Sequence, residues 1–134
     1  MGTRMRVPTA LTGTQVDRVA FDHQVHLLLR SKGEGGRGVE AELILETPFL
    51  LRDAAGHGHE LEPGTGVRLA PVLDLLGQSV AAVDVQYLGT LTIEFQDGTG
   101  LRIEPDPHFE SWHLTGSGVN AITVGPGGEE DWEV

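Results

Sequence analysis

Histidine and carboxylate side chains are the groups in this 134-residue chain best suited to chemistry, and their spacing decides which chemistry that could be. His57 and His59 lie two apart, which on a strand puts both on one face as a chelating pair. His23 and His26 are three apart, and His108 and His113 flank the aromatic segment. A zinc site needs three or four converging ligands. No local spacing supplies them, so the sequence assigns no metal ligand and no cofactor. His57-Gly58-His59 also falls at a turn, where solvated surface histidines are common. Glu104, Asp106 and Glu110 gather within seven residues. Paired carboxylates held close can exchange protons with a substrate, but a chain with 20 acidic residues produces such gatherings by composition alone. Ser79, Ser111 and Ser117 lack the Gly-x-Ser-x-Gly context of an activated nucleophile. No cysteine is present to act as a thiolate. The glycine-rich stretch Ser31–Gly38 has no Gly-Lys-Ser/Thr leading into a helix, so it does not cradle phosphate. No residue is assigned a catalytic role.

Trp112 is the residue that stands out for recognition. Glu110, Trp112 and Leu114 alternate with Ser111 and His113. A tryptophan in that phase either closes the core of a sheet or anchors an interface, where tryptophan is enriched. Together with Asp106, Phe109 and Glu110 it forms the candidate partner-binding surface.

The charge narrows the partner. With 20 acidic and 9 basic residues the chain carries a net charge of −11. Nucleic-acid phosphates and anionic membranes would be repelled. A basic protein would be attracted and its encounter accelerated, although the same charge also serves solubility. Hydrophobic content of 39% supports a packed core rather than disorder. No stretch approaches the roughly 20 apolar residues of a membrane span. Residues 1–12 read as a disordered lead without a signal peptide. With no cysteine, a reducing, cytoplasmic location is expected.

The elements that must position these side chains follow from periodicity. Val80–Tyr87, Leu91–Phe95 and Leu101–Glu104 alternate apolar and polar residues, as half-buried strands do. Leu88-Gly89-Thr90 and Asp97-Gly98-Thr99-Gly100 supply turns. The three strands form an antiparallel meander whose core face is Leu91, Ile93, Phe95, Leu101 and Ile103. Earlier, Val16–Arg30 reads as a hairpin and Val39–Glu46 as a strand with Val39, Ala41, Leu43 and Leu45 inward. Phe49–Arg52 and His59–Glu62 return antiparallel. Leu69, Val72, Leu73 and Leu76 fall on one face of a short helix, with Pro71 in its first turn and Gly77 as its stop. Ala121–Val124 reads as a further strand. The expected fold is α+β: mostly antiparallel sheet, made of hairpins and a C-terminal meander, with one short helix packed on it. A single domain over residues 13–124 is followed by an acidic tail, 125–134, in which Trp132 could add a last short strand.

Three segments carry a family resemblance: Leu73–Gly77, Gly89–Gly98 and Pro105–Gly116. The chain resembles a family of small, mainly actinobacterial proteins, domain of unknown function 6188, over about Thr12–Val124. The most specific part is Asp-x-x-aromatic-Glu-x-Trp-x-Leu-x-Gly, carried by Asp106, Phe109, Glu110, Trp112, Leu114 and Gly116. Phe109 stands where tyrosine is more usual. The resemblance implies a compact α+β domain and no assigned activity. Trp-containing endings of this kind are similar to those of immunity proteins of bacterial toxin systems, an analogy of pattern. The reading from sequence is a non-enzymatic interaction module, monomeric or homodimeric, that binds a basic protein. The alternatives are a small-ligand or metal-assisted enzyme using His57, His59, His108, Glu104 or Glu110, and a structural domain that dimerises through an edge strand.

Overall fold

The computed structural model describes residues 5–33, 38–130 and 132–133. The central part of the glycine-rich stretch, residues 34–37, lies outside the described residues. Among the described residues there are twelve strands: β1 (Met5–Arg6), β2 (Gln15–Phe21), β3 (Val25–Ser31), β4 (Val39–Leu45), β5 (Phe49–Arg52), β6 (Gly58–Leu61), β7 (Val80–Gln86), β8 (Thr90–Phe95), β9 (Gly100–Ile103), β10 (Trp112–Ser117), β11 (Ile122–Val124) and β12 (Trp132–Glu133). Ten of them form two five-stranded antiparallel sheets, ordered β11-β10-β4-β3-β2 and β6-β5-β9-β8-β7. Within the stretch read as a lead, Met5–Arg6 pair in parallel with Trp132–Glu133 of the tail.

Alternation builds both sheets. On β4, Val39, Ala41, Leu43 and Leu45 are buried while the residues between them face outward. On β8 and β9, Leu91, Ile93, Phe95, Leu101 and Ile103 are buried, as the period-two pattern predicts. The two inward faces, with Leu11, Leu69, Val72 and Leu75, make one core. Backbone hydrogen bonds stitch the sheets together at one corner: Val16 N–H to Gln78 O at 2.9 Å, and Val80 N–H to Thr14 O at 2.8 Å.

The short helix is present at Gly66–Leu75, but as a 3-10 helix with Pro71 inside it. Side chains three apart eclipse in that geometry. Leu69, Val72 and Leu75 are therefore the buried face, whereas Leu73 and Leu76, inward in an α-helical phase, are 52% and 50% exposed. Proline offers no N–H to an α-helical ladder. Gly77 follows at φ +82°, a left-handed conformation open to glycine, and donates its N–H to Val16 O. Among the described residues no helix is long and apolar enough to cross a membrane.

Candidate functional site

The chain passes from one sheet to the other twice at the same end of the molecule. Glu46-Thr47-Pro48 carries β4 into β5, and residues 104–111 carry β9 back to β10. The two passages touch, because the Glu46 N–H donates to Ser111 O at 2.9 Å. Between them, closed by Glu62 and Pro63 after β6, lies a depression of about 580 Å³ lined by Glu46, Thr47, Pro48, Glu62, Pro63, Asp106, Phe109 and Glu110. Four of those residues are acidic, and no lysine or arginine is among them.

Each residue of the Asp-x-x-Phe-Glu-x-Trp-x-Leu-x-Gly segment has a physical task here. Asp106 Oδ1 accepts from the backbone N–H groups of His108 and Phe109 at 2.8 and 3.0 Å. That local turn is the one aspartate makes best, and it presents the Phe109 ring to solvent at 66% exposure. Glu110 Oε2 lies 3.0 Å from Nε2 of His113. Trp112 and Leu114 point into the core, fully buried. Gly116 stands at φ +136° against β4, where a Cβ would meet the Glu40 carbonyl oxygen at 2.2 Å.

Of the four residues expected to bind a partner, Asp106, Phe109 and Glu110 line one surface and Trp112 does not. Its exposure is 0%. The indole Nε1–H donates to Gly89 O at 2.8 Å, and the ring stacks on Trp132 with centroids 6.2 Å apart. Burial of this kind makes it a support beneath the surface rather than a contact. The sequence places Glu46 and Glu62 at the ends of two strands without bringing them together here. The phase of His113, opposite to Trp112, was the signal available for it.

Outward from the depression, the exposed face of the first sheet continues in register. His26, Ile44 and His113 are neighbours across β3, β4 and β10. His113 Nδ1 lies 3.1 Å from Thr123 Oγ1, and its Nε2 also meets Glu46. Gln24 holds the other oxygen of Glu46. His26 sits between Glu42, 2.6 Å from Nδ1, and Asp22, 3.1 Å from Nε2. Burial works against its charge, but the hydrogen bonds and attraction of Glu42 and Asp22 outweigh it and raise its pKa. Asp22 is lowered by the Gln24 N–H and by His26.

The remaining expected groups do not converge. His59 Nε2 lies 2.7 Å from Asp53 Oδ2, while His57 is 79% exposed. Asp53 also accepts the Ala55 and His57 N–H groups, so the pair organises a turn. Its carboxyl is held below the usual range by His59 and these amides. His108 and Glu104 are exposed. A larger depression of about 690 Å³ lies between Arg30, Lys32, Asp17 and Glu40. Arg30 approaches Asp17 and Glu40 there at 3.5 and 3.9 Å, so opposite charges offset each other.

Fold and site together define a two-sheet antiparallel β domain with an acidic depression where both of its sheet-to-sheet passages meet. The chain belongs to a family of unknown function, DUF6188, whose model matches residues 7–133. The match is wider at both ends than the resemblance visible in the motifs, and takes in the strand at Trp132. No curated protein and no solved structure matches the chain.

Proposed function

We infer that this domain is a binding module that receives a basic segment of a protein partner in the depression beneath Phe109. The observation that carries this reading is the concentration of Glu46, Glu62, Asp106 and Glu110 around one exposed aromatic ring, with no cation in the lining. Carboxylates at a rim steer lysine- or arginine-rich surfaces and fix their register. An exposed aromatic at the centre supplies apolar contact area and a face for a guanidinium group. An immunity-like role, in which the partner is a basic toxin, is one form of this binding, and it rests on the pattern of the Trp-containing segment and on charge.

The test is co-purification from the native host at low and moderate salt, with wild type beside Phe109→Ala and the charge reversal Glu62→Lys. A basic protein retained by wild type and lost by both variants is the expected result. Phe109→Ala should weaken binding at least ten-fold, about 1.4 kcal/mol, without changing the melting temperature. Equal capture by all three proteins, or capture of acidic proteins only, would remove the depression from consideration.

A further inference from the structure

The geometry points to a divalent transition-metal site at the lip of the depression, formed by Glu46, Glu110 and His113, that takes an ion of the zinc or manganese class. One ligand atom from each residue lies within 4.8 Å of the other two. Donors around a tetrahedral ion at 2.0–2.2 Å stand roughly 3.4 Å apart, so small rotations of two glutamates close the set. The Nε2 of His113 faces both carboxylates, at 3.0 Å from Glu110 Oε2 and in direct contact with Glu46. A single ring nitrogen carries at most one hydrogen and cannot satisfy two carboxylates as a divalent ion can.

The surroundings fit a ligand set. Thr123 Oγ1 lies 3.1 Å from Nδ1 of His113 and Gln24 holds the second oxygen of Glu46. Outer partners of this kind orient metal-binding imidazoles and carboxylates. Glu46 and His113 are largely buried and come from paired strands of one sheet or its immediate end, a rigid base. Glu110 is 51% exposed, leaving room for water or a partner's side chain to complete the coordination. A mixed nitrogen–oxygen set suits zinc or manganese better than magnesium or calcium, which prefer oxygen alone.

Metal binding is measured on the whole chain without any partner, so its outcome is separate from that of the proposed protein binding. Titration calorimetry with zinc and with manganese, on chelator-stripped protein, should give one site per chain. Glu110→Gln, a surface change, and His113→Gln should each weaken it at least ten-fold, while His57→Gln with His59→Gln leaves it intact. Metal-free melting curves check that the variants fold. Manganese should also broaden the NMR signals of His113 in the unaltered chain and spare His57, a readout that needs no variant. Absence of binding at free-ion concentrations on the order of 1 mM, the weak end of protein metal sites, overturns the assignment. So does binding that survives Glu110→Gln and His113→Gln, or that disappears with His57 and His59.

Discussion

Trp112 and Phe109 sit three residues apart with exposures of 0% and 66%, so substituting them separates support from contact. Trp112→Phe keeps most of the ring and removes the indole N–H, leaving Gly89 O without its donor. A buried acceptor left unpaired costs about 1–3 kcal/mol, and the smaller ring opens a gap beside Trp132. Against a domain stability of about 5–15 kcal/mol, that loss should move the urea midpoint clearly. Zinc binding per folded molecule should stay as it was. An unchanged midpoint would mean that the Trp112–Gly89 bond supports nothing. At this scale much was legible. Asp106, Phe109 and Glu110 belong together in sequence and also in space. Whether Trp112 faced in or out was not legible, because a period of two fixes alternation but not which face is covered.

The strands were readable because most have one buried and one wetted face; β4 shows that pattern without interruption, whereas β7 breaks it at the register shift between Val80 and Ala82. The helical segment was read in the wrong phase for a physical reason. Leucines at 69, 73 and 76 suit a period of 3.6, but Leu69, Val72 and Leu75 are the set that a period of three buries. Leu75→Ala should therefore cost about 2–5 kcal/mol, the range for truncating a fully packed leucine. Leu73→Ala should stay within about 0.5 kcal/mol, as surface changes do. Denaturant titration of the two variants compares them directly. A larger loss at Leu73 than at Leu75 would restore the α-helical phase.

What the sequence did not disclose is pairing at long range. Glu46 and His113 are 67 positions apart, and only the β4–β10 pairing brings them together. Among 20 acidic residues nothing marks Glu46 in advance. The same strand pairing that makes the depression also spreads charge over the first sheet, and the molecule as a whole should respond to pH through it. His26 has a folded pKa above the ordinary 6.5. Its contribution is complete below 6.5 and is lost as pH rises through the folded value. Asp22 has a folded pKa below 3.8. Its contribution is present above 3.8 and is lost as pH falls through the folded value. The Asp22–His26–Glu42 group, with Arg18 on the same face, is thus strongest between 3.8 and 6.5. Net charge acts in the same direction, since protonating histidines relieves part of the self-repulsion of −11. Urea midpoints in chelator-containing buffer should therefore fall from pH 6 to pH 9, and His26→Gln should flatten part of that fall. Salt separates the two contributions. At an ionic strength on the order of 1 M the screening length is about 3 Å, which suppresses the global repulsion and leaves the contacting His26 pairs largely in force. A midpoint that rises toward pH 9, or a His26→Gln profile identical to wild type in high salt, would show that the imidazole between Asp22 and Glu42 does not stabilise the sheet.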